Sequence, residues 1–158
     1  MNLLKGFKSA PTPENTRAIP GAVFNFLVKG DETNGRHSLI KIKVKRGAEP
    51  PAHTHSREDE SYYILKGSVQ YTIGEDQIVV NEGEYVYLPQ DVPHSFKIIS
   101  EEAELLMWLS PAGLEEWFWD NSAPAPDGKM LPMPQGPPPS HVIEQFVKSL
   151  QSYGVEMI

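Results

Sequence analysis

The sequence predicts an all-β barrel or sandwich. Three observations carry this. Short segments rich in β-branched and aromatic residues recur from residue 23 to about residue 109. The segment at 37–45 alternates strictly, and turn residues separate each segment from the next.

The elements follow in order. Residues 1–22 carry Pro11, Pro13 and Pro20 and read as an N-terminal arm with a short edge strand. Residues 23–28 are apolar. Ser38, Ile40, Ile42 and Val44 then share one strand face, with Lys41, Lys43 and Lys45 on the other. Residues 61–65 and 68–73 are strand-like, and 74–77 form a hairpin turn before 78–80. Residues 84–88, 95–99 and 104–109 complete the series, giving a barrel over 23–110.

Residues 111–158 form a different kind of extension. Ser110-Pro111 reads as the cap and first turn of a short helix over 114–119. Seven prolines between 124 and 139 exclude a regular helix or a central strand there. Ser140 can then cap a terminal helix whose apolar stripe is Val142, Ile143, Phe146, Val147 and Leu150. The extension is expected to pack on the barrel.

Composition narrows the function. A net charge of −7 over 158 residues leaves no basic footprint for nucleic acid and no polybasic membrane patch. The absence of cysteine removes disulfides, thiolate ligands and cysteine nucleophiles together. The N-terminus lacks a signal-like apolar run, and no stretch reaches membrane-spanning length. The expectation is a cytoplasmic protein acting on a small molecule, without nucleic-acid or membrane partners.

The chemistry concentrates in two stretches. His53 and His55 are one residue apart, so on a strand both face the same way, with Cα atoms about 6.5–7 Å apart. Two imidazoles so placed can reach one ion at roughly 2.0–2.2 Å each. Beyond a polar stretch, Glu60, Tyr62 and Ile64 share a face by period two. Glu58 and Asp59 are the competing carboxylates. His94 follows Pro93, whose fixed φ helps aim it, but its local sequence does not tie it to the others.

Here the sequence resembles the cupin superfamily. The first stretch resembles cupin motif 1, G(X)5HXH(X)3-4E(X)6G, at Gly47, His53, His55, Glu60 and Gly67. The second resembles motif 2, G(X)5PXG(X)2H(X)3N, at Gly83, Pro89 and His94. The wording around both, and Ser-Pro-Ala-Gly-Leu-Glu-Glu-Trp-Phe after the last strand, is similar to small single-domain cupins of the quercetin-dioxygenase-like group. Two positions depart from motif 2: Asp91 stands for its second glycine and Ile98 for its terminal asparagine.

The resemblance implies a double-stranded β-helix, the cupin jelly-roll barrel. It implies one divalent transition-metal ion held by His53, His55, Glu60 and His94. Imidazole-rich ligand sets suit iron, nickel, copper or zinc, and the carboxylate admits manganese. Motif spacing, with the parity of Tyr62, selects Glu60; Glu58 and Asp59 are then read as solvated or paired with Arg57. Tyr62, Ile64, Phe96 and Met107 are the expected pocket-lining residues, and Tyr85 and Tyr87 further interior candidates. Trp108, Trp117, Phe118 and Trp119 form either a lid or an anchor for the tail. The expected activity is dioxygenase-like, on a phenolic or enolic substrate, with Glu60 as ligand and proton acceptor. A non-catalytic ligand-binding or sensor cupin, or a non-redox isomerase or decarboxylase, is the alternative. A homodimer is the expected assembly.

Overall fold

Residues 4–158 are described by a computed structural model. Among the described residues twelve strands form two antiparallel sheets, accompanied by two α-helices. The strands are β1 (Thr16–Ile19), β2 (Ala22–Val28), β3 (Ser38–Lys45), β4 (His53–His55), β5 (Asp59–Lys66) and β6 (Ser68–Ile73). Then come β7 (Asp76–Asn81), β8 (Tyr85–Leu88), β9 (His94–Ile98), β10 (Glu102–Ser110), β11 (Ala123–Pro124) and β12 (Val155–Met157). The helices are α1 (Leu114–Asp120) and α2 (Ser140–Ser152). One sheet runs β11-β1-β2-β3-β10-β5-β8 and the other β12-β4-β9-β6-β7. The strand pattern predicts the all-β class, and the resemblance predicts the jelly roll seen here.

The alternation in β3 explains its place at the centre of the larger sheet. Ser38, Ile40, Ile42 and Val44 are buried. The outward lysines make surface ion pairs with the neighbouring β10, Lys43 to Glu102 at 2.9 Å and Lys41 to Glu104 at 3.2 Å. Such half-exposed pairs contribute little stability; the inward face carries the fold. One core joins both sheets, with Ile40, Ile64 and Leu105 from the first meeting Val69, Tyr71 and Ile98 from the second.

The structure corrects several sequence expectations. Ile64 is fully buried in this core and does not line the cavity described below. Period two gives the face of β5 correctly, but not how far along the barrel each residue lies. Tyr85 and Tyr87 point outward, 57% and 47% exposed, because Val86 and Leu88 take the inward positions. Ser110-Pro111 does not open a helix. Ser110 ends β10, and Gly113, at φ 149°, precedes α1. The turn after β6 is shorter than 74–77, since Ile73 already pairs with Asp76.

The extension is built into the sheets at both ends. β11 adds to β1, and β12 adds to β4 with Val155 opposite His55 and Met157 opposite His53. Leu150 of α2 is buried, while Val142, Ile143 and Phe146 on the same stripe remain 41–45% exposed. No helix among the described residues is long and apolar enough to cross a membrane.

Candidate metal centre

Three strands converge on one point. β4 turns His53 and His55 inward and Thr54 outward, as a three-residue strand must. β9 begins with His94, which pairs directly with His53. β5 contributes Glu60 and, two residues on, Tyr62. The loop before β9 turns at Asp91, whose φ of 62° is left-handed, a conformation aspartate tolerates where motif 2 has glycine. Its N–H donates to the His55 carbonyl at 2.8 Å, so this turn also fixes the metal-facing strand.

All four side chains are buried, and one donor atom from each lies within 4.8 Å of the others. Glu60 Oε2 is 3.3 Å from His94 Nε2 and 4.0 Å from His55 Nε2. Donors bound to one ion at roughly 2.0–2.2 Å sit about 3–4.4 Å from one another, so small side-chain rotations close the set.

The tautomers point the same way. His53 Nδ1 lies 2.8 Å from the Pro51 carbonyl, His94 Nδ1 3.1 Å from the Val92 carbonyl, and His55 Nδ1 2.6 Å from Glu58 Oε1. A carbonyl can only accept, so each backbone-bonded ring carries its proton on Nδ1 and leaves the Nε2 lone pair free. The Nε2 atoms of His55 and His94 are buried without a hydrogen-bond partner. Orphaned buried nitrogens facing a carboxylate are the pattern a cation would complete, so the residues present fit a divalent ion.

Glu58 is the residue that sequence reasoning misplaced. It is only 3% exposed and bonds His55, rather than lying in solvent or pairing with Arg57. Its even parity with Glu60 and Tyr62 was the available signal. Asp59 does face outward and accepts the Gln90 N–H at 2.9 Å. Ile98, standing for the motif-2 asparagine, gives its backbone N–H to Glu49 at 2.7 Å, which ties β9 to the loop before β4.

Electrostatics follow from this arrangement. Burial opposes the charge on Glu60, but His94, His55 and His53 outweigh it and bring its pKa to about 2. Glu60 is therefore ionised at neutral pH. Burial lowers the pKa of His53. For His55 burial acts in the same direction, but the Glu58 hydrogen bond and the charges of Glu60 and Glu58 prevail and raise it above 6.5. A proton on His55 must leave before Nε2 can bind an ion, so metal affinity is expected to fall as pH drops through this value. Calorimetric titration at about pH 8 and about pH 5.5 checks this, and equal affinities would mean that His55 does not ligate.

A cavity of about 360 Å³ opens beside the cluster. His53, His55, Glu60, Tyr62, Phe96 and Met107 line it; His94 does not. Tyr62 donates to Glu60 Oε1 at 3.0 Å, leaving Oε2 turned to the histidines. Of the aromatic cluster noted in the sequence, Trp117 and Phe118 reach the cavity and Trp108 and Trp119 do not.

The profile described as "Cupin domain" matches residues 41–109, so this stretch of the chain carries a cupin domain. The chain is 29% identical to an uncharacterized protein of Streptomyces coelicolor over 108 residues, which are 68% of this chain and 97% of that one. It is 23% identical to quercetin 2,3-dioxygenase of Bacillus subtilis over 106 residues, 66% of this chain but only 32% of the dioxygenase. Among solved structures, an RmlC-like cupin from Shewanella frigidimarina superposes with a TM-score of 0.59 at 19% identity, covering 72% of this chain and 99% of that one. That likeness shows the fold alone.

Proposed function

We propose that this cupin-domain protein is a mononuclear metal-dependent enzyme of the dioxygenase type, acting on a small phenolic or enolic molecule. The carrying observation is a cluster of three histidines and one ionised glutamate beside a mostly apolar cavity, which His53, His55 and Glu60 line. The partial match to a quercetin 2,3-dioxygenase supports the same class.

A redox-active divalent ion held by His53, His55, Glu60 and His94 would acidify a substrate hydroxyl and supply the electronic chemistry for reaction with dioxygen. The chain's own residues do the rest. Glu60, charged at neutral pH, can accept the hydroxyl proton, and its low pKa restricts it to an acidified hydroxyl. Tyr62 holds Glu60 Oε1, fixing which oxygen faces the reacting group. Burial and the nearby Glu60 charge push the Tyr62 pKa well above 10, so it stays a donor throughout. Phe96 and Met107 exclude water from the reacting end.

Oxygen uptake is expected when protein loaded with iron(II), manganese(II), nickel(II) or copper(II) meets flavonols, β-diketones or catechols. No uptake with any pairing would overturn the dioxygenase reading. Saturable binding without turnover would then assign a ligand-binding module. Turnover without oxygen in a zinc-loaded protein would assign a non-redox enzyme, because zinc has no redox chemistry.

A further inference from the structure

The cavity has two ends of different origin. Its inner end is the histidine–glutamate cluster with Tyr62 and Phe96. A third of its wall comes from the C-terminal extension, which supplies eight of the 24 lining residues. α1 contributes Trp117 and Phe118, α2 contributes Phe146 and Leu150, and β12 contributes Val155 and Met157. The Phe146 ring stands edge-on to Trp117 with centroids 5.0 Å apart, so the two helices close one aromatic wall.

The charge of this space is equally specific. Among the described residues no lysine or arginine lines it, and apart from the cluster its side chains offer only the Tyr62 hydroxyl, Asn121 and the Trp117 indole N–H, which donates to Ser149 at 2.9 Å. Asn121 donates to the Trp117 carbonyl at 2.9 Å and sits exposed at the rim. Two buried carboxylates stand at this end, Glu60 within the cluster and Glu58 behind His55. No basic side chain lines the cavity to compensate the negative charge of an anionic ligand. A ligand hydroxyl brings its own proton and can donate it as a hydrogen bond to a carboxylate. A carboxylate or phosphate brings charge without one and would be buried uncompensated.

We propose that the cavity selects an elongated, uncharged ligand with a hydroxyl-bearing head at the cluster and an apolar body clasped by the C-terminal extension, Phe146 and Leu150 setting how long that body can be. This rests on the proposed function for the identity of the head end only. The volume of about 360 Å³ lies within the roughly 300–1,000 Å³ of pockets that enclose drug-sized ligands. It exceeds what a lone two- or three-carbon acid would fill.

The test uses metal-free full-length protein and its tryptophan fluorescence. Catechol, 4-methylcatechol, 4-hexylcatechol and 4-nonylcatechol are titrated, with nonanoate as the anionic control. Affinity is expected to rise about fourfold per buried methylene until the cavity is filled. Nonanoate is expected to bind at least about tenfold more weakly than 4-nonylcatechol, as burying an unpaired charge requires. Phe146→Ala should remove about tenfold or more of the long-chain affinity. It should leave catechol binding and metal binding unchanged, and Phe146→Leu should restore most of the loss. Phe146 is half exposed, so both variants are expected to fold, which their melting curves verify.

Chain-length-independent affinity would overturn the proposal, and so would nonanoate binding as tightly as nonylcatechol or a Phe146→Ala loss shared equally by catechol. A chain-length series in protein that binds no metal would sink the metal reading and leave this inference standing. Metal binding without such a series would do the reverse.

Discussion

Replacing His94 with alanine is expected to weaken metal binding by more than roughly 100-fold, beyond the 10–100-fold attached to loss of a group behind a ligand. His94 is the residue whose own neighbours in sequence say least about its role. In the folded chain it stands opposite His53 across the β4–β9 pair, with ring centroids 4.6 Å apart, and its Nε2 is buried without a hydrogen-bond partner. Alanine there removes one of three neutral donors. It also leaves Glu60 without its nearest imidazole, so the glutamate pKa is expected to rise from about 2. Two measurements check the variant. Competition with a chelator of known affinity gives the dissociation constant directly. In a thermal melt, metal at a hundred times its dissociation constant stabilises the wild type by about 2.7 kcal/mol, or roughly 5–11 °C for a chain of this size. The variant should show almost no shift at the same metal concentration. An unchanged affinity would make His94 a core histidine and leave a three-residue site.

What could be read from the sequence follows from how local each signal is. The face of β3 is set by alternation along eight residues, and the one-residue spacing of His53 and His55 makes their shared face legible directly. Glu60 and Tyr62 follow by the same parity. Ile64 shares that parity yet lies past the cavity, because alternation cannot report depth. Tyr85 and Tyr87 sit in a segment where both faces carry apolar or aromatic residues, Tyr-Val-Tyr-Leu, so parity could not choose between them. The turn at Asp91 was legible as a substitution a left-handed residue tolerates, and φ there is positive. β12 was not legible at all. Its three residues are too short for any period, and its partner β4 lies about a hundred residues earlier. The outer wall of the cavity depends on that pairing and on how α2 docks, which are long-range contacts that no window of sequence contains. This is why a candidate metal-ligand set could be assembled from two motifs while the shape of the neighbouring cavity could not.

Glu58→Gln is expected to lower metal affinity by about 10–100-fold while leaving the fold intact. The reasoning turns on which acceptor each histidine uses. His53 and His94 face neutral backbone carbonyls, whereas His55 alone faces a carboxylate, at 2.6 Å and with both groups almost fully buried. A charged acceptor on Nδ1 pushes electron density toward Nε2 and makes that nitrogen the strongest neutral donor of the three. Glutamine preserves the shape and an accepting oxygen but removes the charge. Glu58→Ala goes further: it strands a buried Nδ1–H, at about 1–3 kcal/mol of stability, and frees the ring to change tautomer. The acid dependence separates this role from simple packing. With the carboxylate gone, the charge and charged hydrogen bond that raise His55 are lost, so its pKa should fall. The loss of metal affinity on acidification should then begin at lower pH in Glu58→Gln than in the wild type. If Glu58 only filled space, the glutamine variant would match the wild type in both affinity and acid profile. If it positions and polarises His55, affinity drops and the profile moves together, and the alanine variant adds a lower melting temperature that glutamine does not share.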